Sequence, residues 1–168
     1  MNTVTHALIP AVTAGIFLNL YRGKEGGSRG SYKDLLVIGL FGAAPDLLNP
    51  HMSLEDRYSS WSHSIFAWLA VLVFLLVSKW VPRLPWQRWL TWSKLVWCSS
   101  AYGLHLACDA VSGGIAWLYP WKADIVGAYL VPPVWWIPMD VSLFLSYYFL
   151  FRVIPKTRQP SSVGDRCA

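Results

Sequence analysis

From Ile65 to Val77 the chain is unbroken apolar sequence, inside a longer apolar stretch from Trp61 to Val81. Crossing the hydrocarbon core of a bilayer takes about 20 mainly apolar residues in a helix. This stretch therefore reads as a transmembrane helix. Two others read the same way, Leu95 to about Val111 and Val134 to Ile154. Val4 to Tyr21 and Asp34 to Leu48 are shorter, carry Gly15, Gly39 and Gly42, and have polar groups near one end. The expected fold is all-α, an integral membrane helical bundle of about five transmembrane helices. Residues 1–155 form the membrane domain and residues 156–168 a polar cytoplasmic tail. Basic residues follow the first apolar run instead of preceding it, so that run reads as a retained helix and not as a signal peptide.

Composition agrees. Of the 168 residues, 55% are hydrophobic and only 14% charged, against about 25% charged in a typical soluble domain. Disorder, collagen-like repeats and a disulfide scaffold are excluded. Three cysteines make no framework, and Cys98 and Cys108, in an apolar stretch, read as inert thiols. The net charge of +5 suggests nucleic acid until the basic residues are placed. Arg22, Lys24, Arg29 and Lys33 fall between the first two helices. Lys79, Arg83, Arg88 and Lys94 fall between the third and fourth, and Arg152, Lys156, Arg158 and Arg166 are C-terminal. All lie on one side of a five-helix layout, with only Arg57 and Lys122 opposite. The positive-inside rule then puts the N-terminus outside and the C-terminus in the cytoplasm, and no nucleic-acid partner is needed. Trp80, Trp86, Trp89 and Trp92 would form an inner aromatic belt, and Trp61, Trp117, Trp121, Trp135 and Trp136 an outer one.

In this layout the polar residues converge. His6 opens the first helix on the outer side, and Asp46 closes the second. His51 lies in the outer loop and His63 starts the third helix. His105 and Asp109, one turn apart, approach the outer end of the fourth, and Asp140 is near the outer start of the fifth. Ionisable groups inside a membrane are costly and by default suggest a functional site. His and Asp are ligands for a borderline or hard divalent ion such as zinc or manganese, and positions i and i+4 share a helical face. Each residue alone has an ordinary alternative: an interfacial histidine for His6, a helix stop for Asp46, a first-turn position beside capping serines for His63, an internal ion pair for His105 and Asp109. Taken jointly, a metal site is the better reading.

The order Thr5-His6, Pro45-Asp46, Ser62-His63-Ser64 and His105-x-x-x-Asp109 resembles the YdjM-type family of membrane-bound metal-dependent hydrolases. The segment from His105 to Trp121 is similar to that family's H-x-x-x-D-x-x-[TS]-x-x-G-x-x-x-[LW]-x-P-[FW] element, with Ser112, Gly114, Leu118, Pro120 and Trp121 at the matching positions. The His and Arg that lead the family's H-R-x-x-T-H-S block are absent here, and His51 is a histidine available to replace one of them. The ligand order is also similar, more distantly, to zinc-dependent phospholipase C and S1/P1 nuclease enzymes.

These resemblances imply His6, Asp46, His63, His105 and Asp109 as ligands of one or two divalent ions, zinc foremost and manganese as the alternative. Asp140 and His51 are candidates to orient water or protonate a leaving group. The expected activity is phosphoester hydrolysis by a metal-activated water, on a phospholipid or other lipid-linked phosphate in the bacterial inner membrane. Two other functions fit the same residues: proton or metal transport, and a scaffold whose basic loops bind a cytoplasmic regulator such as a LexA-like repressor.

Overall fold

A computed structural model of the chain describes residues 3–20, 31–50 and 58–153. Among these are five α-helices: α1 (Thr3–Leu20), α2 (Tyr32–Leu48), α3 (Ile65–Trp80), α4 (Trp92–Ser112) and α5 (Trp136–Tyr148). No strand occurs among the described residues, and the one β-type pairing is an isolated antiparallel bridge between Ile115 and Val126. The fold is all-helical, as expected. His51, Arg57, the first basic loop from Arg22 to Arg29, and the tail with Cys167 lie outside the described residues.

Local chemistry sets several boundaries. Ser31 caps α2 in a reciprocal capping box with Asp34, and Thr91 caps α4 through the Lys94 amide. The fourth helix therefore starts three residues before the expected Leu95. The third starts later than expected. Trp61–His63 form a single 3-10 turn, and Ser64 then caps α3 by accepting from the Ala67 amide. His63 thus stands just ahead of the helix and not in its first turn. At the other end of the chain, α5 runs on into a π-helical turn, Phe149–Val153.

Length also limits the expected spans. At about 1.5 Å of rise per residue, α1, α2 and α3 fall short of a hydrocarbon core about 30 Å thick. Only the segment Pro133–Val153 is both long and apolar enough to cross unaided among the described residues. Its outer face is bare, with Ile137, Val141, Phe144 and Tyr148 all exposed.

The helices pack around α2 and α4. Helix α1 lies along α2 and touches α4, α3 lies on α4, and α5 packs on α1. Contact between α1 and α2 is backbone-close: a Cβ on Gly42 would stand 2.3 Å from the His6 carbonyl oxygen and 2.6 Å from Pro10 Cγ. Two apolar clusters fill the interior. One, containing Ala14, Leu35, Ile38, Leu75, Leu95, Cys98 and Ala101, occupies the half near the start of α4. The other, Ala67, Tyr102, Leu106 and Ile115, lies next to the histidines. Cys98 is fully buried and Cys108 half-buried.

A polar clamp closes the first of these ends. Asp34 accepts from the Trp89 indole at 2.7 Å and pairs with Lys94 at 2.8 Å, while the Lys94 ammonium sits over the Trp89 ring. Trp89 therefore packs partly inward, its N–H on a carboxylate. Trp117 also packs against the interior. By contrast Trp61, Trp80, Trp121 and Trp135 are exposed.

Candidate metal centre

Four side chains from three segments of the sequence meet at one end of the bundle. Asp46, near the C-terminus of α2, His63, from the 3-10 turn, and His105 and Asp109, on α4, each offer one ligand atom, all within 4.8 Å of one another. His105 Nε2 is 3.2 Å from Asp109 Oδ2 and 3.5 Å from Asp46 Oδ1. His63 Nε2 is 3.2 Å from Asp46 Oδ1 and 3.4 Å from Asp109 Oδ2. His6, from the first turns of α1, completes the group: its Nε2 is 3.1 Å from Asp109 Oδ1, and its ring lies 3.8 Å from that of His105, centre to centre. His6, His63, His105 and Asp109 are buried, and Asp46 is the most open, at 11% exposure.

The hydrogen bonds around the rings decide what this cluster needs. His105 Nδ1 lies 2.6 Å from the Gly42 carbonyl oxygen. A carbonyl only accepts, so Nδ1 carries the proton and Nε2 of the neutral ring presents a lone pair. That lone pair faces His63 Nε2 at 3.2 Å and two carboxylates. His63 Nδ1 is 3.0 Å from Ser60 Oγ, and Ser60 also accepts from Asn49 Nδ2 at 2.8 Å. The His105 lone pair, the His63 Nε2 and carboxylate oxygens thus converge in a largely buried space. Such an arrangement calls for a cation, either added protons or a metal ion. Two imidazoles and two carboxylates with outer hydrogen bonds fixing the rings suit a divalent ion.

The scaffold under the cluster comes from the segment after α4. The last four carbonyls of a helix lack intrahelical partners. Here Asp109 O accepts from the Gly113 and Gly114 amides, Ala110 O from Ala128, and Val111 O from Leu130. Gly114 has φ +83°, a conformation that side chains disfavour, and a Cβ on Gly127 would stand 2.2 Å from Gly114 Cα. The Ile65 amide bonds Trp117 O, tying the same segment to the start of α3. The positions from Ser112 to Trp121 therefore act as scaffold, holding the end of α4 that carries Asp109.

A model of the YdjM inner membrane protein family matches residues 1–162. The chain belongs to that family. No curated protein and no solved structure matches it. In this YdjM family member all five metal-ligand candidates read from the sequence come together. Asp140 stays outside the ligand cluster: it takes a hydrogen bond from Thr5, the residue before His6, and so joins α5 to α1. His51 lies outside the described residues.

Gly42, Ser60 and Asn49 carry no signal in sequence alone, and Thr5 stands out only beside His6. Their roles depend on side-chain and backbone contacts that folding makes. Thr5 is fully buried, and it couples the placement of His6 to α5. Thr5→Val keeps the shape and removes the donor. It is expected to weaken metal affinity by loosening the placement of His6, with Thr5→Ser restoring it. Titration with a fluorescent zinc competitor checks both.

Proposed function

We propose that this YdjM family member is a membrane-embedded metal-dependent hydrolase, a phosphoesterase acting on a phospholipid or other lipid-linked phosphate. The observation that carries the reading is the convergence of buried lone pairs and carboxylates from His63, His105, Asp46 and Asp109, with His6 against Asp109. One or two divalent ions fit there, zinc before manganese. A bound ion would supply an acidified water and positive charge against the phosphoryl oxygens.

The chain's own residues do the rest. Asp46 and Asp109 provide negative charge, and the Gly42 carbonyl holds His105 in the tautomer that can ligate. Ser60 and Asn49 hold His63. Burial excludes bulk water, and Asp46 marks the more open side by which substrate would enter. His51 and Asp140 are the candidates for protonating a leaving group, Asp140 from its place on Thr5.

The membrane arrangement belongs to the same proposal: five spans, N-terminus outside and C-terminus in the cytoplasm. It is supported by the two ends of the helices. The ligands sit at the starts of α1 and α3 and the ends of α2 and α4, whereas Lys33, Lys79, Lys94 and Arg152 sit at the opposite ends. Basic residues favour the cytoplasmic side, so the site would lie at outer headgroup depth. Below it the interior is mainly apolar, down to the Asp34–Lys94 clamp, which favours a closed reaction pocket over a transport path.

Purified protein reconstituted with zinc should release product from one of three substrate types: phosphomonoesters, phosphodiesters or lipid pyrophosphates. Asp109→Asn should lower the rate by more than about 100-fold, the upper cost of losing even an outer-shell partner. No turnover on any of the three, with metal bound, overturns the hydrolase reading.

A further inference from the structure

An apolar groove of about 500 Å³ opens between α2 and α3, outside the ligand cluster. Its walls are Phe41, Leu47 and Leu48 of α2, and Val71 and Phe74 of α3, with Trp61 at one end. Three alanines, Ala44, Ala67 and Ala70, keep it open, and Tyr102 of α4 is its floor. Eight residues along each helix, seven rises, make it about 10 Å long, roughly a third of a hydrocarbon core. In a soluble protein such a groove would be filled by another element. Here Leu47, Leu48, Trp61 and Phe74 are each more than half exposed in a chain of an inner membrane family.

Two further features aim the groove. Its upper end is formed by the segments that carry the ligands: Leu47 and Leu48 follow Asp46, and Trp61 is two residues before His63. The floor is tied to the same turn, since the Tyr102 hydroxyl donates to the Ser62 carbonyl at 2.6 Å. An interfacial Trp at the top, with aliphatic walls below, matches the way a lipid is graded from headgroup to tail.

We propose that this groove holds one acyl chain of a glycerophospholipid, with the headgroup phosphate at the Trp61 end beside Asp46. The headgroup half rests on the lipid-phosphate reading above; the chain half does not. In a bilayer no hydrophobic gain distinguishes the groove from surrounding lipid, so residence there comes from shape and close packing. The alanines are therefore its determinants.

The test uses the full-length protein in phosphatidylglycerol nanodiscs that contain a trace of the same lipid with a mid-chain diazirine. Photolabelled peptides are then mapped. Labels are expected to concentrate on Phe41, Ala70, Val71 and Phe74, above Val141 and Phe144 of α5, although Phe41 and Val71 are the less exposed. Ala70 is itself exposed, so Ala70→Phe fills the groove without disturbing the core. It should bring groove labelling down to the α5 level while bound zinc and α5 labelling stay unchanged. Even labelling of α3 and α5, or cross-links joining two copies across the groove, overturns the proposal. The readout is independent of turnover. Concentrated labelling supports the groove even if every hydrolysis assay fails, whereas hydrolysis with even labelling removes the groove and leaves the hydrolase.

Discussion

Gly42→Ala is expected to take away both the packing of α1 on α2 and the metal site. The new methyl would stand 2.3 Å from the His6 carbonyl oxygen and 2.6 Å from Pro10 Cγ, so the helices must part. Overpacking of this kind costs about 1–3 kcal/mol. Retreat of α1 carries His6 away from Asp109, and movement of α2 shifts the carbonyl that holds His105 Nδ1. The variant should melt several degrees lower, by about 2–4 °C per kcal/mol for a chain of this size, and lose bound metal. Ala101→Gly, deep in the other half of the core, is the control: it should destabilise while keeping the metal. Equal metal retention in both variants would show that Gly42 does not position the ligands.

Metal removal is the second large effect. If an ion bridges these side chains only in the folded state, loading at about 100 times its dissociation constant adds about 2.7 kcal/mol of stability. A chelator should therefore lower the melting temperature by about 5–10 °C, and restored zinc should reverse the shift. Asp109→Ala should melt low with or without chelator. Its loss strands three imidazoles within 3.4 Å of the missing carboxylate, and removing one partner from a buried charged group costs about 3–5 kcal/mol. A chelator-insensitive wild type would leave protons as the cation that the cluster holds.

The ligands were legible in the sequence because of where they stand. His6, Asp46, His105 and Asp109 interrupt otherwise apolar helices, and such interruptions are rare unless something compensates them. The i, i+4 spacing of His105 and Asp109 also placed them on one face, as found at 3.2 Å. The groups that orient the ligands were not legible. The Gly42 carbonyl and the Thr5–Asp140 contact act through pairings of 63 and 135 residues' separation. Ser60, though close to His63 in sequence, is one of four serines around it, so a glycine or serine gives no warning of such a role. The partner of Trp89 was hidden in the same way, since its acceptor Asp34 comes from another helix. The start of α3 was misplaced because hydrophobicity continues through Trp61, while Ser64 sets the cap.

Elemental analysis of detergent-purified protein, beside a His105→Ala, Asp109→Ala double variant, tests the central claim most directly. One or two equivalents of zinc or manganese in the wild type, absent from the variant, is the predicted result. Wild-type protein that stays empty after reconstitution with either metal would contradict it, and would make the buried histidines and aspartates a proton-bearing network instead.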